Sequence, residues 1–153
     1  MGKPLKQAAI VVVVVLIAAQ FIRPDRTNPP TDASHTIAAH EGTGSQLVAV
    51  LNRACSDCHS NATVWPWYTE ISPVSWLMAY GVREGRKVVN FSEWTAYSPE
   101  EQRMLLSASC RSMSSGKMPG PYTLLHPEMR VSPEDIEVVC AAARETTAAS
   151  SFR

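Results

Sequence analysis

The sequence predicts an all-α protein, with one N-terminal transmembrane helix ahead of a single helical domain joined by Pro-rich loops. Three observations carry that expectation. Residues 7–22 form an uncharged apolar run, QAAIVVVVVLIAAQFI. Two Ser-Pro-Glu-acid strings, at 98–101 and 132–135, have the chemistry of helix starts. No segment alternates convincingly with the period of two that a half-buried strand requires. The 153 residues, 45% of them hydrophobic, suffice for one compact domain and hardly for two.

The run from Gln7 to Ile22 follows Lys3 and Lys6. At ~1.5 Å per residue it makes a helix of about 24 Å, slightly short of a ~30 Å hydrocarbon core, a gap that snorkelling side chains can close. Ala18-Ala19-Gln20-Phe21 is a poor cleavage site, because Phe21 and Ile22 continue the apolar stretch. Five consecutive Val favour no amphipathic face. An uncleaved signal anchor over residues 1–22 is therefore expected. Residues 23–43, RPDRTNPPTDASHTIAAHEGT, are rich in Pro and polar residues without periodicity and read as an extended linker. His35 and His40 within it read as solvated.

The helical domain is expected over 44–149. Ser45 can cap a helix whose apolar side carries Leu47, Val48, Val50, Leu51, Ala54 and Cys55. Pro73, with Ser72 as cap, opens a second helix on which Trp76, Leu77 and Tyr80 share a face. Ser98-Pro99-Glu100-Glu101 is a capping box. Met104, Leu105 and Ala108 follow at core spacing, and Gly116 ends that helix. Ser132-Pro133-Glu134-Asp135 repeats the start, and Ile136, Val139, Cys140 and Ala143 give the last helix its stripe.

The most informative string is Cys55-Ser-Asp-Cys58-His59. C-x-x-C-H is the attachment signature of c-type haem. The two thiols, three residues apart, lie on one side of a helical turn and can add to the two porphyrin vinyl groups, while His59 is carried under the ring to bind iron. Rival readings are a thioredoxin-like redox pair, which needs a βαβ setting that is absent, and a zinc site recruiting Cys110 and Cys140, which lie thirty residues apart rather than as a close pair. An export segment ahead of a short helical domain favours haem and a cytochrome c-like fold. For the sixth iron ligand the candidates are Met104, Met113, Met118, Met129 and His126. Met118 is preferred, because it stands in the stiff loop GKMPGPY, and His126 is the serious rival. Trp65, Trp67, Tyr68 and Trp76 are placed to supply the apolar haem pocket. A backbone carbonyl in the stretch from Pro66 to Pro73 is expected to fix the His59 tautomer. Cys110 and Cys140 are expected to form a disulfide, since free thiols are disfavoured in an oxidising compartment.

Lys plus Arg (14) equals Asp plus Glu (14), which argues against a nucleic-acid binder. After Ile22 there are 12 basic and 14 acidic groups, a net −2.

Several longer strings add a resemblance. They are QFIRPDRTNPP (20–30), CSDCHSNATVWPWYTEISPVSWL (55–77), VREGR (82–86), NFSEW (90–94) and MPGPYTLLHPEMRVS (118–132), with the closing helix and its Cys140. Together they resemble the bacterial haem-binding-domain family of membrane-anchored mono-haem cytochromes c over almost the whole chain. The resemblance implies one covalent haem c on Cys55 and Cys58, His59 as proximal ligand and Met118 in the family's Met-Pro position. The c-type class implies attachment outside the cytoplasm. The expected protein is then a single-pass protein of the bacterial inner membrane with its haem domain in the periplasm. It is expected to pass single electrons to redox proteins whose identity the sequence does not give. A haem-based sensor or small-ligand binder, and less readily a peroxidase-type enzyme, are the alternatives.

Overall fold

Ser and Pro open the longer helices of the domain, and Gly116 ends one of them. The computed structural model describes residues 2–41 and 45–150. Seven α-helices are found among them: α1 (Lys3–Ala19), α2 (Ile37–Glu41), α3 (Gln46–Ala54), α4 (Ser56–His59), α5 (Val74–Val88), α6 (Pro99–Ser114) and α7 (Pro133–Ser150). Short 3-10 turns lie at Ala33–His35, Trp67–Glu70, Phe91–Ala96, Gly120–Leu124 and Pro127–Met129. No strand occurs among the described residues, so the all-α expectation for the domain holds.

The capping chemistry sets the boundaries. Ser45 Oγ accepts from Val48 N at 3.2 Å and starts α3. Glu101 and Ser98 satisfy each other's N–H groups at the start of α6. Ser132 and Asp135 do the same for α7, at 2.8 and 3.1 Å. Gly116, at φ +68°, turns the chain out of α6. Helix α5 differs from expectation. Pro73 occupies the cap position, and Ser72 turns away to bond Gln20 and Ser75.

The core forms where α6 and α7 pack along each other and α3 closes over α7. Trp94, Leu51 and Val139 are wholly buried at its centre, joined by Leu106, Phe91 and Met113. A second group of elements, α4, α5 and the Trp67–Glu70 turn, packs beside it. In α5 the buried face is Ser75, Met78, Ala79 and Val82. The expected face of Trp76, Leu77 and Tyr80 points outward instead. Met104 is likewise exposed, because α6 turns Gln102, Leu106 and Met113 inward.

The transmembrane-helix expectation fails, and with it the placement as a single-pass protein of the inner membrane. No helix among the described residues is long and apolar enough to cross a membrane. Helix α1 has 17 residues, about 25 Å of rise, and its first turn already spends Lys3 and Lys6. It stops at Ala19 because Gln20 is drawn onto the domain: its side chain donates to Ser72 O at 3.1 Å and accepts from Ser72 N at 3.0 Å. Phe21 and Ile22, which were to complete the span, leave the helix.

Residues 22–32 run without regular structure, laid along the domain rather than held off it. Arg23 and Arg26 both reach Glu70, at 2.8 and 2.7 Å, and Asn28 donates to Thr63 O. Ile37 of α2 enters the core at 2% exposure. His35 and His40 are exposed. The boundary drawn at 43/44 between linker and domain lies outside the described residues.

Candidate haem-attachment site

Helix α3 ends at Ala54, and Cys55 carries the chain into α4 without a break in hydrogen bonding. Cys55 N donates to Leu51 O, and the N–H groups of Cys58 and His59 both donate to Cys55 O, at 3.1 and 3.0 Å. The five residues of the motif therefore occupy one turn. Cys55 and Cys58 are both half-buried and are not bonded to each other. Burial pushes the Cys55 thiol up to about 12 and the Cys58 thiol up to about 11. Dithiol exchange centres work through depressed thiols. This pair has the opposite electrostatics, which disfavours a thioredoxin-like role.

His59 is half-buried, and burial lowers its titration below the ordinary range. Its Nδ1 lies 3.3 Å from Val89 O. A carbonyl only accepts, so Nδ1 carries a proton. Burial outweighs the carbonyls of Val89 and Gly85, which favour the charged ring, and the neutral ring then presents Nε2, the nitrogen a metal would use. The orienting carbonyl comes from the end of α5, not from Pro66–Pro73, because α4 packs on α5 and brings Val89 beneath the ring.

A buried amide network fixes that carbonyl. Asn90 Nδ2 donates to Asn61 Oδ1 at 2.8 Å, Ser92 N donates to Asn90 Oδ1, and Asn61 N donates to Ser92 Oγ. The chain just after His59 is thereby tied to the chain just after Val89. Arg86 adds a second clamp: Nε donates to Ser60 O at 2.7 Å, and Nη2 donates to Asn28 Oδ1 and Thr63 Oγ1. Gly85 lets the two helices meet, since a Cβ there would stand 2.5 Å from Cys58 O. Sequence reasoning did not single out Asn61, Gly85, Arg86 or Asn90 for these tasks. Three of the four lie in the strings VREGR and NFSEW, which was the available signal.

The Met118 loop approaches from α6. Met118 N donates to Ser112 O at 3.1 Å, and its side chain is 40% exposed. Four residues on, Tyr122 stands over Gly81 of α5, where a Cβ would meet its hydroxyl at 2.9 Å. Burial raises the Tyr122 phenol, with the nearby Cys58 and Tyr80 adding to the shift. The loop and the motif therefore share α5 as a common wall. Among the other candidates, Met113 and Met129 are buried in packing. His126 is 4% exposed, with Nε2 facing the Tyr68 hydroxyl and Nδ1 facing Glu128 Oε1 at 3.0 Å. Both of its nitrogens already have partners.

Cys110 and Cys140 form a disulfide joining α6 to α7, with Cα atoms 4.9 Å apart. Their thiols are consumed, which removes the four-Cys zinc reading. No cluster of three or more His, Cys, Asp or Glu suited to a metal occurs among the described residues. The four aromatics expected around haem are divided. Trp65 and Trp76 border a groove beside α5, Tyr68 serves His126, and Trp67 is 75% exposed.

The sequence matches a protein-family profile described as a haem-binding domain over residues 14–145. No curated protein and no solved structure matches the chain.

Proposed function

The chain belongs to the haem-binding-domain family, and from that premise we propose that it is a mono-haem c-type cytochrome that carries single electrons. The observation that supports this most directly is the His59 geometry. A C-x-x-C-H turn holds two unpaired thiols beside a neutral imidazole whose Nδ1 is engaged by Val89 O and whose Nε2 is left for iron. Those residues fit a covalently held haem.

Cys55 and Cys58 would hold the group through thioethers, and His59 and Met118 would bind its iron. When bound, haem iron gains and loses one electron reversibly, at a potential that a thioether ligand raises. The protein's part is positional. Val89 O fixes the imidazole plane, and the Asn61–Asn90–Ser92 network keeps Val89 in register with His59. Tyr122 against Gly81 holds the Met118 loop to the wall that carries the motif. The electron partners would be redox proteins.

The test is acid–acetone extraction followed by a haem stain of a denaturing gel. Haem that stays with the chain, and that is lost from the Cys55→Ser, Cys58→Ser double variant, supports the reading. Haem extracted freely from the unmodified chain sinks it. For the sixth ligand, Met118→Ala is expected to abolish the weak sulfur-to-iron(III) absorption at the red edge and to lower the potential. An unchanged spectrum removes Met118 from the role. The 40% exposure of Met118 favours a second reading, a ligand-binding haem with one open iron position. High-spin resting iron with ready CO uptake distinguishes it.

A further inference from the structure

Behind α5 lies a groove of about 630 Å³, within the size range of small-molecule sites. Its floor is Ala79 and Val82, at 9% and 3% exposure. Trp65 and Trp76 wall it, and Tyr80, Arg83 and Lys87 form the outer rim. The segment from Pro24 to Thr27, docked along the domain, supplies the opposite lip. This groove is not the haem-attachment face. On an α-helix, Ala79 and Arg83 stand roughly half a turn around from Gly81 and Gly85. The two glycines meet Tyr122 and Cys58, so the helix backbone separates the groove from the motif.

We propose that this groove binds a planar aromatic anion, such as an aromatic carboxylate. Flat apolar walls and a small-residue floor suit a ring system. The Arg83 guanidinium already lies over the Tyr80 ring at 5.4 Å, so the rim places positive charge beside an aromatic face. Arg83, Arg86 and Lys87 face two carboxylates, leaving the rim positive. Asp25 is turned onto Thr27 N and Oγ1 within its own turn, and Glu84 bridges Arg83 and Lys87. The inference is independent of the iron chemistry, since no iron ligand lines the groove.

The test is isothermal titration of the full haem-loaded chain with 2-naphthoate and with its neutral analogue 2-naphthamide. One-to-one saturable binding of naphthoate is expected, about tenfold weaker for the amide and about tenfold weaker in Arg83→Ala, Lys87→Ala. Both rim residues are more than half exposed, so that variant keeps its fold. Cyanide on the iron is expected to leave the binding unchanged. Absence of saturable binding in the millimolar range overturns the proposal. So does equal affinity for the amide, equal affinity in the double variant, or competition by cyanide.

Discussion

Gly85 and Cys58 meet backbone to backbone: a Cβ added to Gly85 would lie 2.5 Å from the Cys58 carbonyl oxygen and 3.1 Å from its carbon. The obstacle is main chain, so it cannot rotate away. Gly85→Ala is expected to destabilise the protein by about 1–3 kcal/mol, because overpacking here outweighs the roughly 1 kcal/mol that Ala gains over Gly within a helix. Gly81→Ala is the control. It meets only the far end of Tyr122, which can shift, and it is expected to be near neutral. Urea unfolding of both variants checks the pair, and similar losses in the two would refute the assignment.

Arg86 binds two separate stretches of chain, 27–28 and 60–63, through one guanidinium. Arg86→Lys is expected to cost about 2–3 kcal/mol and to recover little over Arg86→Ala, because an ammonium cannot reproduce the planar fork. Thermal melts of the two variants decide it. Full recovery by Lys would mean that charge alone matters.

The Cys110–Cys140 bond closes a loop with a sequence separation of 30 that contains the Met118 segment. By loop-closure entropy its removal in Cys110→Ser, Cys140→Ser is expected to cost about 3–4 kcal/mol. Mass spectra before and after reduction establish the bond, and denaturant titration measures the loss.

Asp135 accepts from Ser132 N and from Arg53, which hold its carboxyl below the usual carboxylate range. A depressed carboxylate contributes stability above its unfolded titration near pH ~3.9 and loses it as pH falls through the folded value. Acid unfolding is therefore expected to steepen below about pH 4. Asp135→Asn should flatten that slope and cost about 1–2 kcal/mol at neutral pH. Stability measured from pH 7 down to pH 2 checks the sign, and an unaltered acid limb in the variant contradicts it.

Local chemistry made much of this molecule legible. Ser45, Ser98 and Ser132 each announced a helix, and the chain obeys all three, since a cap is satisfied within four residues and needs no tertiary partner. The disulfide was legible in the count, since two of the four Cys lie outside the C-x-x-C-H string. Tertiary facts were hidden. The carbonyl beneath His59 comes from Val89, thirty residues away, and nothing near the motif signals that. Trp76 and Met104 sit at helical spacing that fits a core, yet both face outward, because spacing defines a stripe and not which stripe is covered. The apolar run was read correctly as helix. Its end was misplaced because Gln20 looked like a neutral member of the run, when it is the residue that bonds Ser72.

That Gln20–Ser72 exchange has a mechanical meaning. Two hydrogen bonds, reinforced by Trp76 Nε1 on Ile22 O at 2.7 Å, weld the foot of α1 to the start of α5. Helix α1 therefore cannot pivot freely like a pennant on a string. It projects as a fixed stalk, and any surface that covers its exposed Val-rich shaft will meet the rest of the protein in one set orientation.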